Sequence, residues 1–248
     1  MKVSPRHIAV AEPSNEQNRL AMYGIGSVLR FDSWAVWLYR EHGSIDLAAF
    51  VDTLLAMGTI RPARPVNLIA GLISNDTDLM RRAIRLFGDY AGPVEAVSDC
   101  WPFDTTDYYN LEMGEGLLRQ FVSFARLINP QELAAVKTLS NQLEERICLD
   151  LALPPEQRRV NIDPGYVTLS KLVLATTKDY GHRIYLRDGI YAESTLHYEN
   201  GRWTPWPWTY PDYADIRYHG FFEQVRDSYK NKLNTRSNEA AVRQGVGE

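Results

Sequence analysis

His182-Arg183-Ile184-Tyr185-Leu186-Arg187-Asp188-Gly189-Ile190-Tyr191-Ala192-Glu193-Ser194-Thr195-Leu196-His197-Tyr198-Glu199-Asn200-Gly201-Arg202-Trp203 decides how the C-terminal half folds. Two dipeptides, Asp188-Gly189 and Asn200-Gly201, each interrupt runs of β-branched and aromatic residues. Both suit the positive φ angles of tight two-residue hairpins. Two such loops fix the register of a three-stranded antiparallel meander. Arg187 then opposes Ile190, His182 opposes Thr195, Glu199 opposes Arg202 and Glu193 opposes Trp208. One face of this meander carries His182, Glu193, Thr195, His197, Trp206 and Trp208. Pro205 and Pro207 confine the third strand to an edge, because proline has no N–H for a ladder.

Working outward from the meander, Val167 to Thr176 is apolar and ambiguous between helix and buried strand. Thr168 or Ser170 can cap a short helix there, which would put Lys171 and Lys178 two turns apart on one side. After the meander a final helix is expected from about Asp215 to Leu233, with Phe221, Phe222, Val225 and Tyr229 inward. Residues 234–248 read as a flexible tail.

Upstream, residues 66–150 alternate strand and helix signals. Val66–Ile73 is an apolar run of strand length. Asn75, Asp76 and Thr77 can cap a helix that runs to about Phe87. Val94–Trp101 is a second strand, Phe103–Gly116 a polar aromatic loop, and Leu117–Ile128 a third strand. Asn129-Pro130 starts a long helix whose stripe is Leu133, Val136, Leu139, Leu143 and Ile147. A strand near Val160 would complete a ferredoxin-like split β-α-β unit. The predicted class is α+β: that unit joined to an antiparallel β-meander and a C-terminal helix, within one domain over residues 61–233.

Residues 1–60 differ in character. Met1 to Gly26 is polar and aperiodic, and Ser33–Arg40 and Ile45–Met57 have the pattern of short amphipathic helices. The convincing strand pattern begins only after Met57-Gly58, so the segment is an N-terminal extension, with Met57 as an alternative start of translation.

The chain has 248 residues and a formal net charge of -4, so no global basic field draws nucleic acid to it. Cys100 and Cys148 lie in no zinc or redox spacing and indicate a reducing compartment. No apolar run reaches the roughly 18 residues of a membrane span, and the N-terminus lacks the pattern of a signal peptide. A soluble, cytoplasmic protein is expected by elimination. The G-x-S-x-G elbow and Cys-His signatures of hydrolases are missing as well.

From Arg64 to Leu233 the sequence resembles a bacterial family, domain of unknown function 4416. The resemblance rests on Pro65-Val66-Asn67-Leu68 with Gly71-Leu72, Phe103-Asp104, Thr106-Asp107-Tyr108-Tyr109, Glu112-Met113-Gly114, and Arg119 with Phe124. It continues in Asn161-Ile162-Asp163-Pro164-Gly165-Tyr166, Thr177-Lys178, His182-Arg183-Ile184-Tyr185, Asp188-Gly189-Ile190-Tyr191-Ala192-Glu193 and Trp208-Thr209-Tyr210-Pro211-Asp212-Tyr213. The resemblance implies no established activity. Some members carry a GTP-binding label, but this chain has neither a GxxxxGK[ST] loop nor an NKxD base-reading motif.

Two groups of residues carry candidate chemistry. His182 and Glu193 are diagonal neighbours on the expected register, and a carboxylate beside an imidazole orients the ring for acid–base work. With Asp163 they form a catalytic trio or hold a divalent metal; the plainer alternative is a structural polar network or an ion pair. Lys171, Lys178 and Arg183 would make a cationic pocket for a phosphate or carboxylate, with Arg119 as a weaker member; otherwise they are a solvated face. Tyr210 and Asp212 close the dense stretch and are taken as ligand contacts. Asp104–Tyr109 offers acids and hydroxyls in a loop, or simply turn chemistry. The leading expectation is a site for an anionic small molecule, phosphorylated or a nucleotide. The alternative is a non-catalytic module that binds RNA or protein through Trp203, Trp206, Trp208, Tyr210 and Tyr213.

Overall fold

β1 (Val66–Ser74) is buried at all nine positions, which requires cover on both sides of the sheet it belongs to. The computed structural model describes residues 60–154 and 157–245. The chain divides between Arg61 and Pro62, and the elements below belong to the second unit. The expected helices at Ser33–Arg40 and Ile45–Met57, and the start at Met57, lie outside the described residues.

Among the described residues nine strands form one sheet. β1 leads into α1 (Thr77–Ala91), whose N-terminus is capped by the Asp76 carboxylate accepting from the backbone N–H of Asp78 at 2.8 Å and Leu79 at 3.2 Å. β2 (Val94–Val97) and β3 (Trp101–Pro102) follow. A short helix α2 (Asn110–Met113) lies within the expected loop, and β4 (Leu118–Ile128) comes after it. A capping box at Asn129 and Glu132 opens a single 3-10 turn and then α3 (Leu133–Asp150). β5 (Asn161–Val167), β6 (Lys171–Thr176), β7 (Ile184–Arg187), β8 (Ile190–Glu199) and β9 (Arg202–Pro205) complete the sheet. α4 (Pro211–Ala214) and α5 (Ile216–Gly245) close the described chain. The strand order is β2-β4-β1-β5-β6-β8-β7, antiparallel throughout, with β3 on β4 and β9 on β8.

The two faces bury different helices. Leu68, Ala70, Leu72, Val122, Phe124 and Ile162 meet Met80, Ala83, Ile84 and Phe87 of α1 and Val136 and Ile147 of α3. On the opposite face Ile69, Phe121, Val167, Leu172, Leu174 and Leu196 meet Tyr218, Phe221, Phe222 and Val225 of α5. The class is therefore α+β with a C-terminal helix, as expected.

Three expectations fail. Val167–Thr176 is not a helix: β5 ends at Val167, β6 starts at Lys171, and the Thr168 hydroxyl holds the turn between them by accepting from Lys171 N–H at 3.1 Å. Leu172 and Leu174 face α5 while Val173 and Ala175 face the other core, so a strand covered on both sides shows no alternation. Gly165 lets β5 and β6 close up, because a Cβ there would lie 2.3 Å from the Val173 carbonyl oxygen.

The meander is the second. Both turns form, with positive φ at Asp188, Gly189, Asn200 and Gly201, and Arg187 opposes Ile190 and Glu199 opposes Arg202 as expected. A bulge between Tyr185 and Arg187 then moves Ile184 opposite Ala192, and β7 begins too late for His182 to pair with Thr195. β9 ends at Pro205, so Trp208 never pairs with Glu193. β6 takes one edge of β8, and β7 and β9 share the other edge at its two ends.

The third is the final helix, which continues past Leu233 to Gly245 with exposed side chains from Asn234 to Glu239.

Candidate functional site

The face under α5 is apolar only as far as that helix reaches. Beyond its N-terminus the same face turns polar. Glu193 pairs with Leu174, Leu174 with Gly165, and Asp163 stands two residues further along β5. Side chains of paired residues share a face, so Glu193 and Asp163 do. Two inter-strand steps and two residues separate them by about 12 Å. Asp163 pairs with Gly71, Gly71 with Phe121, and Arg119 follows two residues on along β4.

One group gathers on Glu193, which is buried on β8. Arg183 Nε donates to Glu193 Oε2 at 2.8 Å, and His182 Nε2 lies 3.3 Å from the same oxygen. The Thr195 hydroxyl donates to Oε1 at 3.2 Å. Arg183 reaches further: Nη1 donates to the Lys178 carbonyl at 2.9 Å and Nη2 to the Tyr210 hydroxyl. Burial pushes the Tyr210 phenol up, so it stays a protonated donor. The Lys178 ammonium bonds the Tyr108 hydroxyl at 3.0 Å and lies 4.7 Å from the centre of that ring. Tyr180, His182, Trp208 and Trp206 form a stack whose neighbouring planes tilt by no more than 16°. His197 continues it 4.0 Å from Trp206. Both indoles are tied to Ser194 of β8, Trp206 through the hydroxyl and Trp208 through the carbonyl.

The second group gathers on Arg119 and Asp163. Arg119 is buried on β4 and its Nε and Nη2 both donate to Asp212, with Nε at 3.1 Å. Arg119 Nη1 lies 3.8 Å from Asp163 Oδ2. The aromatic rings of Phe103, Phe121 and Tyr213 surround its guanidinium at 5.0–5.4 Å. Asp163 accepts from Asn161 Nδ2 at 2.7 Å, and Lys137 Nζ from α3 is 3.4 Å away. Burial alone would raise the Asp163 carboxyl, but Lys137 and Arg119 hold it below the ordinary carboxylate value. Arg158 links Glu112, Glu144 and Asn161, and Glu144 accepts from the Ile162 N–H at 2.7 Å. Burial raises Glu144 against the pull of Lys137 and Arg158.

A family model described as domain of unknown function (DUF4416) matches residues 64–229. The chain belongs to this family. No curated protein and no solved structure matches the chain.

In this DUF4416 chain the expected site residues divide between the two groups. His182, Glu193, Arg183, Lys178 and Tyr210 come together. Asp163, Arg119 and Asp212 make the second group, so Asp163 does not join His182 and Glu193 in one trio. Lys171 stands apart: it opens β6 opposite His197, while Lys178 lies past the other end of that strand. The strand thus removes the helical proximity expected for the two lysines. Among the described residues no group of three or more His, Cys, Asp and Glu is placed to hold a metal ion. No described helix is long and apolar enough to cross a membrane. A cavity of about 620 Å³ lies away from both groups, between Asn129–Glu132 and Leu186-Arg187.

Several members were not singled out from sequence. Lys137 and Glu144 interrupt the buried stripe of α3, and both turn toward β5. A charged residue at a stripe position was the available signal.

Proposed function

We propose that the Lys178 side of this polar face binds an anionic small molecule, phosphorylated or a nucleotide. The observation that carries the reading is Lys178. Among the described residues its ammonium has no carboxylate within ion-pair distance, and it is held at 3.0 Å from the Tyr108 hydroxyl. Tyr210 shares Arg183 with the Lys178 backbone, and Tyr108 bonds the Lys178 ammonium, so both phenols belong to the surroundings of Lys178. Arg183 is already matched by Glu193, and its part is to fix the Lys178 backbone and the Tyr210 hydroxyl in place. An oxyanion among Lys178, Tyr108 and Tyr210 would find three donors without displacing an existing ion pair.

His182 and Glu193 would border that ligand. Glu193 already accepts from Arg183 and Thr195 with His182 at its edge, which supports orientation of the imidazole more than direct metal ligation. Binding of RNA or a protein through the aromatic stack is less favoured, because the interior rings already use their faces on one another. A base would have only the outer ring and the edges. The order β2-β4-β1-β5 with α1 and α3 on one face supports the ferredoxin-like description of the first half. Two cysteines without a disulfide support a cytoplasmic setting.

A thermal-shift panel of inorganic phosphate, ribose 5-phosphate, ATP and GTP tests the reading, since a ligand of the native state raises Tm by mass action. A rise with at least one of these, lost in Lys178→Ala and in Tyr108→Phe, is expected. No rise with any of them, or a rise that Lys178→Ala leaves intact, rejects the site.

A further inference from the structure

The Arg119 group has buried polar atoms that make no hydrogen bond among the described residues. Arg119 Nη1 and the Tyr213 hydroxyl are both buried, and among the described residues neither has a hydrogen-bond partner. Arg119 and Tyr213 are each 2% exposed. Both atoms converge on Gly71 of β1: a Cβ built there would lie 2.7 Å from the Tyr213 oxygen and 3.1 Å from Arg119 Nη1. Asp163 Oδ2 is 3.8 Å from Nη1, too far for a direct hydrogen bond. The Asp163 side chain is 25% exposed, against 3% for that of Arg119. Tyr109, the residue before α2, packs its ring 5.9 Å from that of Phe103, which in turn lies against the Arg119 guanidinium. Burial pushes both phenols up, so each keeps its proton and can donate.

We propose that Arg119 Nη1, the Tyr213 hydroxyl and Asp163 Oδ2 bind one neutral oxygen, that of a water or of a hydroxyl on a polyol ligand. Two buried donors need an acceptor, since leaving them unmade costs more than a hydrogen bond gains. Asp163 Oδ2 already accepts from Asn161 and has a further lone pair, so a water or hydroxyl oxygen can accept from the two donors and donate to it. Charge selects against the other occupants. Arg119 and Lys137 are already matched by Asp212 and Asp163, so an added anion finds no free cationic charge, and a metal cation meets the guanidinium. The site stands on residues other than Lys178 and Tyr108, so loss of phosphate binding in Lys178→Ala leaves it untouched.

A high-resolution crystal structure of the full chain tests it, from crystals grown without sugar and from crystals soaked in ribose. One oxygen within hydrogen-bonding distance of Arg119 Nη1 and Tyr213 is expected. An isolated peak in both identifies water, and density continuous with the ribose ring identifies a ligand hydroxyl. No density there, a metal, or an anomalous peak after a bromide soak overturns the proposal. Tyr213→Phe gives a second readout whose sign decides. If the hydroxyl holds a bridging oxygen, Tm falls by about 3 °C. If the hydroxyl is simply unpaired, its removal raises Tm, and that result also overturns the proposal.

Discussion

Arg183 joins three parts of the chain that sequence distance keeps apart: Glu193 on β8, the backbone at Lys178 and the Tyr210 hydroxyl. Its side chain is 2% exposed and that of Glu193 1%, so breaking the pair leaves a buried carboxylate with only the Thr195 hydroxyl and His182 beside it. Arg183→Ala is expected to lose about 3–5 kcal/mol of stability, measured by urea unfolding. A loss below about 1 kcal/mol would mean that the pair is solvated. Asp163 makes a prediction in pH. Its folded-state carboxyl is held below the ordinary value, so the unfolded chain takes up that proton first as pH falls. Its contribution is present above an unfolded pKa of about 3.9 and is lost as pH drops through the lower folded value. The stability gap between the wild-type chain and Asp163→Asn should therefore be full at pH 7 and shrink below about pH 4. A gap that does not change with pH would contradict the ion pairing of Asp163 with Lys137 and Arg119.

At the scale of elements, the two turns test how local chemistry sets register. Asp188 has φ 54° and Gly189 φ 74°, a left-handed pair that a side chain at Gly189 strains. Gly189→Val should cost about 1–2 kcal/mol and weaken the β7–β8 pairing, visible as faster amide exchange at Tyr185 and Tyr191. Helix α1 gives a simpler case: Asp76→Ala removes the cap on two backbone N–H groups and should cost about 1 kcal/mol. Both turns, this cap and the helix start at Asn129-Pro130 were legible in the sequence because each is decided within four residues. The strand at Lys171–Thr176 was not. Its Leu-Val-Leu-Ala run is compatible with a helix, and only the helices covering both faces of the sheet select the strand. The place of His182 was half legible. Its contact with Glu193 exists, but the bulge in β7 puts it in a loop beside the sheet instead of in the ladder.

On the scale of the whole molecule, one sheet face carries two kinds of surface. α5 covers the apolar part with Tyr218, Phe221, Phe222 and Val225. Past its start, the segment Trp208–Asp212 crosses the polar part: Trp208 stacks on His182, Tyr210 bonds Arg183 and Asp212 holds Arg119. That crossing explains why the sequence concentrated its polar residues near the C-terminal half yet concealed the Arg119 group. Arg119 and Asp212 are 93 residues apart, and no local pattern relates them. The central claim, that Lys178, Tyr108 and Tyr210 form an anion site, is most directly tested by anomalous diffraction from crystals soaked in tungstate, a heavy mimic of phosphate. The account predicts a peak within hydrogen-bonding distance of Lys178 Nζ and the two phenols. No peak there, with tungstate bound elsewhere or nowhere, would contradict it.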